Sequence, residues 1–374
     1  MVEWKKLGEV CYISDYVSNG SFASLRENVQ YRNEPDFAIL VRFADYTSGF
    51  DESKFVYIDE HAYNFLSKSS LEGGEIVMSN VGSCGLFFRC PKLGKKMSLA
   101  PNSILIKSDF IDYLFHWFSS NRGQEDIKKI TSKSAMPKFN KTEFKKIQIP
   151  IPSLAEQERI VGILDTFTAS IENLKEQIAQ RRKQYEYYRD QLLDLEGKEG
   201  VEMKTLGEIC EISAGGDVPK GNISPIKTDI FCVPIVSNGV GEKSIYGYTD
   251  LIKIKKTSVT VAARGTIGYA EYRNYPYYPI VRLISVVPSV MNLNARFLYY
   301  LLSKQKYKIP KSGIPQLTVP MINKVRTPLP SLSEQERIVS ILDTFEASIQ
   351  NLEAQLKERE KQYEYYRNKL LTFE

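Results

Sequence analysis

Residues 152–196 read PSLAEQERIVGILDTFTASIENLKEQIAQRRKQYEYYRDQLLDLE, and residues 330–374 read PSLSEQERIVSILDTFEASIQNLEAQLKEREKQYEYYRNKLLTFE. The two stretches align without a gap at an offset of 178 residues, and 31 of their 45 positions are identical. Such close internal similarity indicates a structural unit that the chain contains twice.

Each copy carries the sequence signals of one long helix. A proline and a Ser-x-x-Glu capping box, formed by Ser153 and Glu156, open the first copy, and the second copy repeats both. Neither copy contains a proline after its cap, and apolar residues recur at steps of three and four. This is a heptad pattern, in which Arg181 and Arg359 occupy the same position of the apolar stripe. At about 1.5 Å per residue, each helix is expected to be about 60 Å long.

The other faces of both helices are charged, so each apolar stripe needs a helical partner. The nearest candidate is the other copy. We expect an antiparallel coiled coil and a pseudo-twofold molecule with one globular domain at each end. The tyrosines of the repeated YEYY motif fall half on the stripe, which favours helix packing over base stacking as their role. The alternative interpretation is an ordinary amphipathic helix packed on its own domain.

The composition is typical of a globular protein, with 43% hydrophobic and 25% charged residues. No apolar run approaches the ~20 residues that span a bilayer, and the first residues contain no signal-peptide core. We therefore expect a cytoplasmic protein without a membrane partner. Five cysteines without a C-x-x-C pair, together with only two histidines, argue against a metal site or a disulfide framework.

The net charge of +5 is unevenly distributed along the chain. Residues 154–196 and residues 332–374 each hold six Lys or Arg against nine Asp or Glu, which gives −3 for each helix and +11 for the rest. A basic surface attracts polyanions, and nucleic acid is the first candidate among them.

The globular parts of the chain repeat as well, although less closely. Residues 4–11 read WKKLGEVC and residues 203–210 read MKTLGEIC. Short β-rich runs separated by Gly, Asn and Asp clusters, with a helix around residues 111–119, indicate an α+β fold. Further short matches pair residues 17–20 (VSNG) with 236–239, residues 82–85 with 265–268, and residues 134–137 with 312–315. The expected segments are a first domain at 1–151, a first helix at 152–196, a second domain at 197–329 and a second helix at 330–374.

Catalytic motifs are missing from the sequence. It contains no P-loop, dinucleotide-binding, nucleophile-elbow or H-E-x-x-H motif, and neither of the two loops that an adenine methyltransferase needs. One loose nuclease-like pattern, Asp36 followed by Glu52 and Lys54, has no counterpart in the second domain. We interpret it as a solvated loop.

Two glycine-rich turns, residues 82–85 and 265–268, are candidate phosphate-binding loops. Glycine either permits a tight turn there or lets the backbone approach a phosphate closely, and the sequence leaves both interpretations open. Lysines cluster before each long helix, where they can hold DNA phosphates in a salt-dependent manner. The predicted DNA contacts are polar or basic residues in or near these loops: Lys68, Ser79, Asn80, Ser83, Lys133, Lys138, Ser237, Asn238, Arg264, Thr266, Lys311 and Gln316.

The double motif resembles one protein family. The pattern P-S-L-x-E-Q-x-R-I-V-x-x-L-D, running into a long helix, stands at residues 152–165 and again at 330–343. Together with YEYYRNKLL and the two variable domains, it resembles the specificity subunit of type I restriction–modification systems over the whole chain. The W/M-K-x-L-G-E opening and the G-x-x-G turn fit the target recognition domains of that family.

The resemblance implies a subunit without catalysis of its own. Each target recognition domain then reads one half of a bipartite, asymmetric site on double-stranded DNA, and the coiled coil sets the unread spacer. Two methyltransferase (modification) subunits dock on the repeated elements, and restriction/translocase subunits join them. S-adenosylmethionine, ATP and Mg²⁺ belong to those partners, so no cofactor is expected in this chain. The predicted docking residues stand in both copies of the motif: Glu156, Gln157, Arg159, Glu334, Gln335 and Arg337.

Two other classes of function remain open at this point. One is a coiled-coil scaffold that binds only protein, which would use the helices and leave the basic loops without a role. The other is a standalone nuclease or methyltransferase, against which the missing motifs argue. The repeated Glu-Gln-x-Arg residues have an alternative role as well, which is to cap the helices.

Overall fold

The computed structural model describes residues 2–309 and 315–373, and the chain divides into two compact units. Unit 1 comprises residues 1–174 and 355–374, and unit 2 comprises residues 175–354. Each unit therefore contains one globular domain, one part of the first long helix and one part of the second.

The globular part of unit 1, called domain 1 below, contains two four-stranded sheets and a two-stranded ribbon. Its strands are β1 (Glu3–Lys6), β2 (Tyr12–Asp15), β3 (Ala38–Val41), β4 (Tyr57–Ile58), β5 (Ser70–Leu71), β6 (Ile76–Ser79), β7 (Phe87–Arg89), β8 (Lys96–Leu99), β9 (Ser103–Lys107) and β10 (Gln148–Ile151). Its α-helices are α1 (Leu7–Val10), α2 (Phe22–Asn28), α3 (Phe43–Thr47), α4 (Glu60–Phe65), α5 (Ile111–Ser119), α6 (Asn121–Ile130) and α7 (Lys141–Lys145). Short 3₁₀ helices cover Tyr16–Asn19, Glu52–Lys54 and Ser67–Ser69.

The two sheets of domain 1 pack against each other. Successive side chains along a strand of the first sheet point alternately towards the helices and towards the second sheet. The first sheet has the order β2-β9-β6-β7, and the second has the order β4-β3-β8-β5. In β6, Ile76 and Met78 pack against helices α5, α6 and α7, while Val77 packs against the second sheet. This is the period of two expected of a strand buried on both faces. The sequence prediction of an α+β fold is confirmed.

The globular part of unit 2, called domain 2 below, has the same plan with fewer helices. Its strands are β11 (Glu202–Thr205), β12 (Cys210–Ala214), β13 (Val233–Val236), β14 (Ile245–Thr249), β15 (Ser258–Ala262), β16 (Ala270–Arg273), β17 (Tyr278–Pro279), β18 (Leu283–Pro288) and β19 (Arg326–Leu329). Its α-helices are α9 (Leu206–Ile209), α10 (Ala295–Lys304) and α11 (Val319–Asn323), and Gly241–Ser244 form a 3₁₀ helix; the long helices of the chain are α8 (Leu154–Leu192) and α12 (Leu332–Leu370).

The strand orders show which elements of the two domains correspond. Sheet β12-β18-β15-β16 repeats β2-β9-β6-β7, and β14-β13-β17 repeats β4-β3-β8. The ribbon β11-β19 repeats β1-β10. Both ribbons join the start of a domain to the strand just before a long helix, so the repeated opening motif and the repeated helix are brought together in each unit.

The two long helices pair with each other, and the same contact is made twice with the roles exchanged. In unit 1 Phe167 of α8 stacks on Tyr366 of α12 with ring centroids 5.4 Å apart. In unit 2 Phe345 of α12 stacks on Tyr188 of α8 at 5.5 Å. Because the position on α8 advances while its partner on α12 recedes, the pairing is antiparallel. The predicted antiparallel coiled coil is confirmed.

The arginine of the heptad stripe is explained by the same contact. Arg359 lies over the Phe167 ring at 5.6 Å in unit 1, and Arg181 lies over the Phe345 ring at 5.8 Å in unit 2. A guanidinium on an aromatic face is a favourable cation–π arrangement, which permits a charge on an otherwise apolar stripe. Tyr188 and Tyr366 serve helix packing, as the sequence predicted.

The predicted capping boxes form only in part. The Ser153 and Ser331 hydroxyls each accept a hydrogen bond from the backbone N–H three residues later, at 3.4 and 3.3 Å. The glutamates do not reach back to the serine backbone, however. Glu156 and Glu334 instead accept two hydrogen bonds each from the arginine three residues further along the helix.

The joint between helix and domain is built differently in the two units. In unit 1 the buried His116 of α5 lies between Asp165 of α8, at 2.8 Å from Nε2, and the Tyr363 hydroxyl of α12, at 3.2 Å from Nδ1. In unit 2 Tyr300 of α10 takes the corresponding place and donates to Asp343. The two joints therefore place a titratable imidazole in one unit where the other has a phenol.

This difference predicts a pH dependence that belongs to unit 1. Burial lowers the pKa of His116 below its usual value near 6.5, and the hydrogen bond to Asp165 opposes the shift only in part. The unfolded chain therefore binds a proton that the folded chain resists, and the free energy of unfolding should fall as the pH drops from about 7 to 5. We expect His116→Tyr, which copies Tyr300, to flatten this profile in thermal melts from pH 5 to 8. His116→Asn is the control, since it also cannot titrate, and an unchanged profile in both variants would contradict the assignment.

Candidate nucleic-acid interface

Each domain presents one glycine turn between two strands of its first sheet. In domain 1 the turn at residues 82–85 joins β6 to β7, and in domain 2 the turn at residues 265–268 joins β15 to β16. In both, the first glycine and the last glycine have positive φ values between 73° and 86°, where a side chain would be strained. The two turns are thus equivalent, as the sequence predicted, and the conformational requirement for glycine is real.

Five of the predicted DNA contacts of domain 2 form one cluster at its turn. We call Ser237, Asn238, Arg264, Thr266 and Gln316 cluster 2. The Asn238 side-chain amide donates to the Arg264 carbonyl at 2.7 Å, and the Thr266 hydroxyl donates to the Asn238 carbonyl at 3.2 Å. The Arg264 guanidinium donates from Nε and Nη2 to Gln316 Oε1, at 2.9 and 2.6 Å.

Cluster 1 of domain 1 comprises Ser79, Asn80, Ser83 and Lys138. It is tied together by backbone hydrogen bonds, because Gly82 N–H donates to the Pro137 carbonyl at 2.8 Å and Phe139 N–H donates to the Asn80 carbonyl at 3.1 Å. Ser83 and Lys138 are exposed, whereas Ser79 is buried and donates to the Val81 carbonyl. Ser79 therefore shapes the loop rather than presenting a hydroxyl at the surface.

The remaining three predicted residues lie outside these clusters. Lys133 is exposed on the loop that leads to Lys138, next to cluster 1. Lys68 is held by Tyr12, whose hydroxyl donates to the Lys68 carbonyl at 2.9 Å. Tyr12 pairs with Lys107 and Ser79 pairs with Ser103, so Lys68 and cluster 1 sit near opposite ends of β9. Lys311 lies outside the described residues.

One sequence match between the domains is wrong. The match of residues 17–20 with residues 236–239 would make Val236 equivalent to Val17. However, Val236 ends strand β13, which pairs with one parallel and one antiparallel neighbour as β3 does, so its equivalent is Val41. Short strings of turn-forming residues recur in loops by chance, and VSNG is such a case.

Two residues that sequence reasoning missed adjoin the clusters. Asn102 and Arg282 occupy equivalent positions, each with positive φ, of 67° and 74°. The Asn102 carbonyl accepts from Asn80 N–H and the Arg282 carbonyl accepts from Ala263 N–H. Arg282 is exposed and adds a second cation beside cluster 2. The dipeptide Pro101-Asn102 was a turn signal in domain 1, but domain 2 has no such signal before Arg282.

A groove with a volume of about 1060 Å³ adjoins cluster 1 in domain 1. Helix α2 supplies Phe22, which is 83% exposed, and Arg26, and the loop after it supplies Tyr31. Asn80 and Asn102 line the side next to the cluster. Aromatic rings, amides and a cation around a concave surface suit contact with nucleic-acid bases and phosphates.

The six predicted docking residues fall into two groups. Glu156, Arg159, Glu334 and Arg337 are partly exposed ion-pairing residues within the first two turns of α8 and α12. The arginine at hydrogen-bond distance lowers the pKa of each glutamate below its usual value. Gln157 and Gln335, in contrast, are buried, and their amides donate to the Pro152 and Pro330 carbonyls at 2.9 and 2.8 Å. These glutamines attach the helix starts to the chain before them.

A groove of about 590 Å³ adjoins the exposed pair in unit 2. Its lining includes the apolar side chains of Leu192, Ile341 and Phe345, the Tyr188 ring and the Glu334–Arg337 ion pair. Apolar side chains next to exposed charged ones are common in protein–protein interfaces.

The described residues contain no group of three or more metal-ligating side chains. The nuclease-like residues of the sequence pair with separate partners: Asp36 with Arg32, Glu52 with Lys95, and Lys54 with Asp51. Within the described part of the chain, no helix has the length and hydrophobicity that crossing a membrane requires.

The fold defines a class of protein, a duplicated chain in which two domains of the same plan and unlike surface each precede one helix of an antiparallel pair. Comparisons with known proteins agree. A family model for the type I restriction modification DNA specificity domain matches residues 1–181 and again residues 198–360.

Similar proteins carry the same description. S.MpnORF89P of Mycoplasma pneumoniae, named as a type I specificity subunit, is 34% identical over 268 residues, which cover 67% of this chain and 79% of that protein. The EcoR124I/EcoR124II specificity subunit of Escherichia coli is 32% identical over 259 residues, which cover 61% and 63% of the two chains. The crystal structure of a type I S subunit from M. genitalium has the same fold, with a TM-score of 0.63 over 100% of this chain and 97% of that one at 16% identity.

The chain belongs to the family of type I restriction–modification DNA specificity subunits. Its role is DNA recognition within such a system, and it is not one of the system's catalytic subunits. The resemblance drawn from the repeated motif is thereby confirmed.

Proposed function

We propose that each domain reads one half of a bipartite, asymmetric DNA site and that the helix pair fixes the spacer between the halves. Cluster 1 and its groove read one half, and cluster 2 reads the other. The boundaries proposed for these parts are those of the sequence: domains at 1–151 and 197–329, and helices at 152–196 and 330–374.

The observation that carries this proposal is that the two domains repeat the same backbone structure but present different side chains at the surface. The hairpin turns, the ribbons and the Phe–Tyr stacks occur once in each unit. At the same backbone position next to the turn, however, domain 1 has Val81 and domain 2 has Arg264. Because base identity is read by side chains at groove edges, different side chains on the same frame recognise different sequences. Two unlike half-sites follow.

Among the predicted contacts, those on the surface are proposed to touch DNA. Lys133, Lys138 and Lys68 suit phosphates, which they hold by charge. The exposed or partly exposed polar residues of the two clusters suit base edges. Lys311, from the other lysine-rich loop, is proposed as a phosphate contact on its sequence alone.

The repeated ion pairs support a proposal about protein partners. Glu156 with Arg159 and Glu334 with Arg337 present the same chemistry twice, so two copies of one methyltransferase subunit are proposed to dock there. The restriction/translocase subunits join through that assembly. The cofactors of modification and cleavage, S-adenosylmethionine, ATP and Mg²⁺, are then held by these partners.

The test is a comparison of DNA methylation across the genome in cells with and without this gene. We expect a modified motif with two specified halves and an unspecified spacer, and we expect it to disappear on deletion and return with the gene on a plasmid. An unchanged methylation pattern, combined with no shift of any DNA by the chain and its methyltransferase, would contradict the proposal and favour a scaffold that binds only protein.

A further inference from the structure

Arg264 is the most strongly positioned surface cation of the two clusters. Its backbone is fixed on both sides, because the Asn238 amide donates to its carbonyl and Leu317 N–H donates to the carbonyl of Ala263 before it. Its side chain is fixed by Gln316, which lies 52 residues further along the chain. The Arg264 guanidinium donates two hydrogen bonds to a neutral amide oxygen, so its orientation is fixed while its positive charge is not compensated.

One edge of the Arg264 guanidinium is left for a ligand. Nε and one hydrogen of Nη2 are used on Gln316 Oε1, so the end of the group keeps the Nη1 hydrogens and the second Nη2 hydrogen. Within the part of the chain that the structure describes, the Arg264 guanidinium donates hydrogen bonds only to Gln316 and forms no ion pair. Two parallel N–H groups are therefore left without a partner among the described residues, in the plane that Gln316 fixes.

Such a fork fits two acceptors on nucleic acid, a phosphate or the O6 and N7 atoms of guanine. One neighbour of Arg264 favours guanine over a phosphate. The Asn238 amide lies beside Arg264, and its Oδ1 is an acceptor bound by no donor among the described residues, which a phosphate oxygen cannot satisfy. A G·C pair shows both kinds of partner in the major groove, since guanine offers two acceptors and cytosine a donor.

We infer that Arg264, positioned by Gln316, reads a guanine in the half-site of domain 2. This inference rests on the proposed function, because it assumes that domain 2 reads DNA through its first sheet and turn. Domain 1 has Val81 at the equivalent position. The Val81 backbone pairs with Lys138, and in domain 2 the backbone next to Arg264 pairs in the same way with the segment that contains Gln316. A valine has no donor, so the half-site of domain 1 is not read by this means.

The experiment measures binding of the complex, formed by the chain and its methyltransferase, to a duplex carrying the mapped motif. Each guanine is replaced in turn by 7-deazaguanine, which keeps its base pairing and loses the N7 acceptor. For the wild-type complex we expect one position in one half-site where this replacement weakens binding about 10- to 100-fold. Arg264→Lys should bind the unmodified duplex more weakly by a similar factor and should show no further loss at that position.

Arg264→Lys keeps the positive charge and loses the two parallel N–H donors, so it also distinguishes a guanine ligand from a phosphate ligand. If Arg264 held a phosphate, the lysine variant would bind nearly as well as wild type and would keep the wild-type pattern of sensitivity to 7-deazaguanine, which would overturn the inference. Val81→Ala is the matched control and should leave the sensitive position unchanged. Gln316→Ala should weaken binding less than Arg264→Lys and should reduce the effect of 7-deazaguanine at that same guanine. If the wild-type complex binds no specific duplex, the proposed function fails first; if it binds one and the lysine variant behaves as wild type, only the inference fails.

Discussion

A chain lengthened by seven residues in both long helices, after Gln180 and Glu358, is expected to direct methylation to a new motif. The two half-sites should be unchanged and the spacer longer by about three base pairs. Methylation of the original motif should disappear. The effect is close to all-or-none, because a site with the old spacer can engage only one domain at a time.

The length follows from helix geometry. Seven residues are one heptad and add about 10 Å, which is about three steps of B-DNA at ~34 Å per turn of ten base pairs. A whole heptad keeps the apolar stripe on the same face, so the Phe167–Tyr366 and Tyr188–Phe345 stacks can both form as before. The insertion points lie close to the Arg182–Glu353 ion pair, where the helices already contact each other at 2.5 Å.

An insertion in one helix alone is the matched control. It adds the same residues but leaves the partner helix one heptad short, so one set of contacts must break or seven residues must loop out. We expect the single insertion to lower the melting temperature and to abolish methylation of both motifs. The measurement is methylome mapping of cells that carry each variant. A double insertion that kept the spacer and altered the half-sites would show that the helices do not set the spacing.

The helix pair could be predicted from sequence because its signals are local and repeated. Heptad spacing, the missing prolines and the constant offset each constrain neighbouring residues, and the second copy confirmed the first. The heptad pattern placed Arg181 and Arg359 on the apolar stripe, but it did not reveal the cation–π contacts that these arginines make.

The candidate DNA-binding site was predicted less completely than the helix pair, because several of its contacts join residues that are far apart in sequence. Cluster 2 was anticipated residue by residue, but not the Arg264–Gln316 contact that gives it direction, because it joins strand β15 to a loop 52 residues away. The buried positions of Gln157 and Gln335 were missed because their alternative role is a backbone contact that a motif does not reveal. Arg282 was missed because its place depends on a strand pairing, and nothing near it in sequence marks the turn.

The second large effect is expected at the helix starts. Exchanging the charges of one pair, Glu334→Arg with Arg337→Glu, should reduce the complex from two bound methyltransferase subunits to one. Exchanging Glu156 and Arg159 in the same way as well should reduce it to none. Like charges brought together at an interface cost several kcal/mol, which is enough to empty a micromolar site.

The exchange is designed to leave the fold intact. Each pair is exposed and spaced i, i+3, so it contributes little to its helix, and a reversed pair can still form. An arginine in the first helical turn opposes the helix dipole and costs about 0.3–1 kcal/mol more. The expected loss of helix stability is therefore much smaller than the expected loss of binding, and a thermal melt of each variant measures it separately.

Native mass spectrometry of the purified complex counts the bound subunits directly. Arg182→Glu with Glu353→Arg is the matched control, because it reverses an exposed ion pair on the same two helices away from their starts. This control should retain two methyltransferases. The number of bound subunits distinguishes two explanations. A general weakening of the fold would lower the occupancy of both docking sites together. A docking role for the repeated ion pair removes one methyltransferase subunit for each pair that is reversed. If the singly reversed chain still carried two partners, the docking surface would lie elsewhere on the repeated helices, and the ion pairs would serve only to stabilise the helix starts.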